Sequence, residues 1–223
     1  MKDFIIYGAG GFSEIIESCI VDGMGRKVAA YCVDKQYISL RENNGLPIVP
    51  FEDVEKYYDP MKYSMVIAFT GKNMYMQREE KYLAAKEKGY EMENVIHKSA
   101  ILEGESIGDG NIILQNVVFA PKSVVGNNNV FSVRSYVSHH VHVGNNSYFA
   151  GGASTTGYVE IGNNCFIGIN SSISNKVKVA DYTFVGGNIF ISRNTKPYEM
   201  YLPQRSVAMK NLKSVNFSVF TPN

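Results

Sequence analysis

Cut in sixes, residues 143–166 read VGNNSY, FAGGAS, TTGYVE, IGNNCF. The blocks open on Val143, Phe149, Thr155 and Ile161, each followed by a small residue, Gly144, Ala150, Thr156 or Gly162. Extended both ways, the frame runs from Val95 to Lys196 without an insertion. A longer period lies on top of it. IGDGN at 107, VGNNN at 125, VGNNS at 143, IGNNC at 161 and VADYT at 179 are each 18 residues apart. Three hexads therefore make one coil, and the coils stack in register. First-position residues, counted from Val95, point inward as ladders. Small second residues fit tight corners, where Gly or Asn tolerates a left-handed backbone. The pattern predicts a left-handed parallel β-helix of hexapeptide repeats over 93–196. A β-sandwich with chance alternation would not keep so long a register. A stacked solenoid has open ends that need caps, and 197–223 is read as a C-terminal cap and tail.

The first 92 residues read differently. Phe4 to Tyr7 is a short apolar strand that runs into Gly8-Ala9-Gly10-Gly11-Phe12-Ser13. A helix follows, with Ile15, Ile16, Cys19 and Ile20 assigned to one face. Val28 to Val33 is a second strand, ending at Asp34, and Ser64 to Phe69 a third. Lys72 to Lys88 reads as a helix closed by Gly89. Strand, helix, strand in this order implies a parallel sheet, a Rossmann-like α/β unit. Its glycine turn would aim backbone N–H groups at an anion, and Asp34 would accept from a ribose or base. A tight strand-to-helix turn with no ligand is the competing reading of the glycines. Ser13 stands where a dinucleotide fingerprint has its last glycine, and the unit is short. A nucleotide-linked sugar therefore suits Gly8, Gly10, Gly11, Ser13 and Asp34 better than NAD.

Lys plus Arg number 22 and Asp plus Glu 21, so no global basic field draws the chain to nucleic acid or an anionic membrane. Cys19, Cys32 and Cys165 are scattered and form no C-x-x-C, which indicates neither a disulfide framework nor a zinc cluster. No apolar run approaches the ~20 residues of a membrane span. The expectation is a soluble, cytoplasmic protein.

Three of the four histidines fall in SYVSHHVHVGNN, residues 135–146. In the hexad frame Val137 points inward, Ser138 is the corner, and His139 and His140 lie outward at the turn. Pro121 lies one coil below His139 and Gly157 one coil above. A glycine there leaves room for a substrate to reach His139 and the Gly157 N–H, as a base beside an oxyanion donor requires. A zinc site needs three or four converging ligands, and adjacent turn histidines are expected to diverge. No metal is expected. His140 and His142 read as surface or interface residues, His97 as structural at the domain junction, and Cys165 as ladder packing. A hydrogen-bonded surface role for His139 stays open at this point.

A GAGGFS-type α/β unit followed by an 18-residue-period β-helix resembles the two-domain bacterial sugar acyltransferases of the sialic acid O-acetyltransferase and bacillosamine N-acetyltransferase type. The resemblance spans roughly residues 2 to 210. It implies acetyl-CoA-dependent N-acetylation of an amino-deoxy UDP- or dTDP-sugar in surface glycan or O-antigen biosynthesis. O-acetylation, for example of a sialic acid, is its nearest alternative, and a non-catalytic trimeric β-helix another. It implies a homotrimer with acetyl-CoA between subunits, beside Tyr148, Gly157, Ile173 and Gly186. His139 takes the place of the family's general base. The chain departs from the family at Ser138 and His140, where acids commonly flank the base. Phe12 and Tyr148 stand where many relatives carry histidine.

Overall fold

The computed structural model describes residues 1–69 and 74–204. From Val95 the chain winds into a three-sided prism of two-residue strands. The first face stacks seven strands, from Val95–Ile96 to Met200–Tyr201. The second stacks six, from Ile101–Leu102 to Phe190–Ile191, and the third five, from Ser106–Ile107 to Lys178–Val179. All neighbours are parallel, with Tyr148 beside Phe166 and His142 beside Glu160. Backbone bonds such as Gly144 N–H to Ile161 O, 2.8 Å, satisfy each coil from the next. Inside, Phe119, Phe131 and Phe149 are fully buried with ring centroids 4.7 and 4.8 Å apart. Burying each such side chain is worth ~1.5–3 kcal/mol.

Two details correct the hexad reading. In the first coil Ile96 pairs with Ile113 and Leu102 with Phe119, so those residues, not Val95 and Ile101, join the inward ladders. Val95 turns outward onto the N-terminal unit and Ile101 is 54% exposed. The stretch from Leu102 to Ile107 is one residue shorter than a hexad. Adjacent aliphatics in Val95-Ile96 and Ile101-Leu102 hide this slip, because either can fill the inward place. The left-handed backbone also sits at the fourth position of each hexad rather than the second. Asn116, Lys122, Asn128, Arg134, His140, Asn146 and Tyr158 all have φ between +55° and +66°. Second-position residues are small because the coils nearly touch there. A Cβ on Gly126 would lie 2.6 Å from Gly144 O.

Third-position asparagines tie one corner together. The backbone N–H of Asn127, Asn145 and Asn163 donates in turn to Oδ1 of Asn145, Asn163 and Asp181, at 2.7 to 2.9 Å. At the top, Met200–Tyr201 pairs with Phe184–Val185 at an offset of 16 residues, so parallel pairing continues beyond Lys196. Residues 205–223 of the expected tail lie outside the described residues.

In the N-terminal unit, β1 (Asp3–Tyr7), β2 (Val28–Val33), β3 (Glu42–Asn43), β4 (Leu46–Pro50) and β5 (Tyr63–Ile67) form one sheet in the order β3-β4-β2-β1-β5. All pairs are parallel except the β3–β4 hairpin. Strand β4 escaped the sequence reading because Pro47 and Pro50 mark it as loop; both fall near the sheet edge, where proline is tolerated. Helix α1 (Gly11–Ser18) buries Ile16, with Cys19 and Ile20 buried just beyond it, but leaves Ile15 half exposed, so the apolar face is narrower than expected. Helix α2 (Val54–Tyr57) is one turn, and α3 (Met76–Glu87) ends as expected at Gly89, φ +88°.

The N-terminal unit lies on the first face of the prism. Ile112 and Val130 turn outward there and are buried with Phe4, Ile6 and Ile16. Arg78 of α3 is buried between the two parts. Its guanidinium donates to Ile67 O at the end of β5 and to Asn128 O of the prism, the latter at 3.3 Å. Burial pulls its pKa below the ordinary arginine value. Lys86 pairs with Asp109 at 2.7 Å. His97 packs over Gly23, whose Cβ would lie 2.5 Å from its ring, and bonds Ser99 at 2.8 Å, the structural place expected of it.

Candidate active site

Strands β1, β2 and β5 end on one side of the sheet, and a cleft of about 620 Å³ opens there. Tyr7, Asp34, Tyr37, Phe69 and Lys81 are among its walls. The carboxyl ends of parallel strands are where open α/β sheets hold ligands. Asp34 accepts from the Tyr7 hydroxyl at 2.8 Å and pairs with Lys81 Nζ at 2.9 Å. Burial, and then Asp34 beside it, push the Tyr7 hydroxyl far above the ordinary tyrosine range. One carboxylate thus has a neutral donor and a cation on either side, next to the rings of Tyr7 and Phe69.

The other residues assigned to the nucleotide are not in that wall. Gly8 has φ +120°, and a Cβ on it would lie 2.7 Å from Ala68 O, so it lets the turn pass close to the end of β5. Ser13 is buried. Its Oγ accepts from Gly10 N–H at 3.1 Å and donates to Ala68 O at 3.3 Å. Both residues build the glycine turn, and neither is among the residues lining the cleft. Gly10 and Gly11 are exposed, with open space beside each Cα. Of the five, Asp34 alone lines the cleft.

His139 lies at the corner between the second and third faces. Its imidazole covers Gly157, where a Cβ would lie 2.7 Å from Nε2 and 3.1 Å from Nδ1. The glycine makes room for the histidine ring itself, not for a substrate as expected. The Gly157 N–H has no acceptor among the described residues, while its carbonyl accepts from Lys176 N–H at 3.2 Å. His139 and His140 do not diverge. Their Nδ1 atoms are 3.1 Å apart. The ring of His140 stacks on Tyr158, 4.6 Å and 20°, and His139 meets the same tyrosine edge-on at 5.3 Å. Among the described residues no three His, Cys, Asp or Glu side chains converge as metal ligands. His142 points outward from the third face, next to Glu160 in the adjacent coil.

The residues assigned to the acyl donor do not gather around this corner in one chain. Tyr148 is on the first face, under the N-terminal unit. It stacks on Tyr75 at 5.7 Å and 6°, and Phe12 of the glycine turn lies 6.5 Å away. It is therefore an internal contact between the prism and the N-terminal unit. Ile173 is fully buried in the prism core and its carbonyl accepts from Thr156. Gly186 is buried against Tyr201 and Pro203. Neither presents a side chain to a ligand.

No protein-family model and no curated protein sequence matches this chain. Solved structures do. A histidine-to-asparagine mutant of perosamine N-acetyltransferase from Caulobacter crescentus, in complex with CoA and GDP-perosamine, superposes with a TM-score of 0.79 at 19% identity, covering 87% of this chain and 90% of that one. The acetyltransferase domain of PglB from Neisseria gonorrhoeae gives 0.78 at 18%, covering 90% and 96%. WeeI from Acinetobacter baumannii gives 0.73 at 18%, covering 90% and 94%. This chain has their fold. The parallel β-helix and the α/β unit before it are thus one known arrangement, matched over nearly its whole length.

Sequence patterns did not single out Tyr7, Tyr37, Lys81 or Tyr158 for the site, and His140 read only as a surface or interface residue. Tyr7 was within reach as the last residue of the strand before the glycines. Tyr158 was legible as the residue one coil above His140. Lys81 sits 47 positions from Asp34 on a different element, and no local pattern pairs them.

Proposed function

We propose that the chain is an acetyl-CoA-dependent N-acetyltransferase acting on an amino-deoxy nucleotide-linked sugar, as in surface glycan biosynthesis. The observation that carries the reading is His139 seated over Gly157, with the Gly157 N–H unpaired. A base and an oxyanion donor then lie within one corner. The cleft at Asp34 adds a place for the nucleotide, and the CoA and GDP-perosamine bound by the perosamine enzyme of the same fold support the substrate pair. The reading takes residues 1–92 as a Rossmann-like nucleotide-sugar unit and 93–196 as a left-handed β-helix.

In this mechanism the sugar amine attacks the thioester carbonyl. His139 Nε2 takes the proton from the amine nitrogen, and the Gly157 N–H steadies the charge growing on the carbonyl oxygen. Collapse breaks the C–S bond, and the departing thiolate takes back the proton from His139. A positioned base contributes ~10²–10⁴-fold, and one oxyanion donor ~10²–10³-fold. No cysteine takes part. Cys165 is buried and its thiol is pushed up to about 11, chiefly by burial.

The corner bearing His139 is opposite the prism face that carries the N-terminal unit. A sugar held in the Asp34 cleft therefore meets the histidine of a neighbouring chain, which is why the reading includes a homotrimer. The test is thiol release from acetyl-CoA across a panel of UDP-, dTDP- and GDP-linked amino sugars. Release that depends on one amino sugar is expected. Equal release with and without every sugar in the panel would remove the reading.

A further inference from the structure

We infer that His140 is the positioning residue for His139: an acceptor imidazole, clamped on Tyr158, that holds the His139 proton on Nδ1 and leaves Nε2 bare for the substrate. The inference rests on the proposed acetyl transfer for its catalytic meaning, but its geometry stands independently.

Two Nδ1 atoms 3.1 Å apart can form a bond only if one carries a hydrogen and the other a lone pair. If His139 accepted, its own proton would sit on Nε2, the ring nitrogen nearer to Gly157, and it could not act as a base there. If His139 donates, Nε2 is free. The donor arrangement alone is competent, and the surroundings of His140 suit it. His140 lies in the left-handed region at φ +56° and its N–H donates to Pro121 O at 3.3 Å. The ring is stacked face to face on Tyr158, itself at φ +60° one coil above. Tyr158 N–H donates to His139 O at 3.2 Å, so both partners are tied to the same corner.

Both histidines are exposed, and an N–H···N bond in water is worth only ~1 kcal/mol. Confinement adds the rest. Tyr158 bounds His140 on one face and meets the His139 ring edge-on, while the absent side chain of Gly157 seats the His139 ring. After proton uptake His139 would be an imidazolium, still donating from Nδ1 to a neutral His140. A carboxylate commonly does this for a catalytic histidine. No carboxylate bonds to either ring among the described residues, and Ser138 bonds elsewhere: its Oγ accepts from the Tyr136 hydroxyl at 3.5 Å and its N–H donates to Thr155 Oγ1 at 3.0 Å.

Two substitutions separate acceptor from stacking partner. His140→Phe keeps a ring on Tyr158 and loses the acceptor; aromatic residues already occupy the same left-handed corner position at Tyr158 and Tyr182. His140→Asn keeps an acceptor near the place of Nδ1, and asparagine is the commonest residue at that position in this chain. With ¹⁵N-labelled histidine the chain shows four imidazoles, and His139→Gln identifies one of them. In the neutral state His139 should carry its proton on Nδ1 in the wild type and in His140→Asn, and shift toward Nε2 in His140→Phe. A wild-type His139 protonated on Nε2 overturns the inference whether or not the chain transfers acetyl groups. For acetyl transfer, kcat should fall by about 10- to 50-fold in His140→Phe with KM for acetyl-CoA unchanged, and return to within about threefold of wild type in His140→Asn. Equal losses in both variants would overturn the acceptor role. Absence of transfer in the wild type, with the Nδ1 proton in place, would instead count against the proposed function alone.

Discussion

The imidazole of His139 fills the space that a side chain on Gly157 would need, with the missing Cβ 2.7 Å from Nε2. Gly157 does not have a positive φ, so its backbone would accept alanine. In Gly157→Ala the three nearest atoms to the new Cβ all belong to the His139 ring: Cε1, Nε2 at 2.7 Å and Nδ1 at 3.1 Å. The substitution should lower kcat by about 10²-fold, since small misplacements of a reacting group cost that much. Thermal unfolding should shift only slightly. His139→Asn should lose ~10²–10⁴-fold in kcat, with acetyl-CoA affinity little changed. Full activity in Gly157→Ala would show that the ring has another working position.

Asp34 joins Tyr7 and Lys81 in the cleft wall. Asp34→Asn keeps the shape and removes the charge. KM for the sugar nucleotide should rise about tenfold, the size of one polar contact, while KM for acetyl-CoA stays put. Because both partners of the pair are mostly buried, some stability is lost as well. Urea unfolding with and without nucleotide separates the two effects, and equal changes in both KM values would point to the fold instead.

Phe12 and Tyr148 form part of the join between the glycine turn and the prism, with Tyr75 stacked on the other ring. A double-mutant cycle with Phe12→Ala and Tyr148→Ala should give a coupling energy of ~0.5–1.5 kcal/mol in chemical denaturation. Additive losses would mean that the rings are neighbours without being partners.

Trimeric assembly should be visible as a threefold mass by light scattering, and its functional meaning by complementation. His139→Asn and Asp34→Asn chains, each weak alone, should recover about a quarter of the sites when mixed trimers form, if each site takes His139 from one chain and Asp34 from the next. No recovery at low sugar concentration would put both residues in one chain's site.

Cys19 and Cys165 are buried and each thiol is pushed up from 9.0 to about 11 by burial. Cys32 is raised further. A raised acid pKa means that the folded state holds protons the unfolded chain has released. The stability linked to these thiols is therefore complete below about pH 9 and falls as pH rises through 11. Unfolding midpoints across that range should show the decline. A thiol reagent at about pH 8 should find none of the three cysteines in the folded protein and all three after unfolding.

The β-helix was legible because it is a one-dimensional object. An inward residue every six positions and a repeat every 18 dictate parallel stacking whatever else the chain does, and the prism follows from Ile107 to Ile191. The outward placement of His139 and His140, and the address of Gly157 one coil above, came from the same arithmetic; that the His139 ring itself fills the space over Gly157 did not. The first coil shows where that arithmetic fails. Two aliphatics side by side carry no phase, and only pairing to the next coil chose Ile96 and Leu102. The glycine turn was legible as a turn, but its sequence could not say that Ser13 would close on Ala68 or that Asp34 would meet Lys81. Those contacts join elements whose packing depends on the whole sheet. Tyr148 has the same six-residue address as any outward residue. It became an internal contact because the N-terminal unit covers that one face of the prism. Periodicity determines which way a side chain points from its own coil. Only the tertiary structure decides what is there to meet it, because that depends on burying apolar surface between distant parts of the chain.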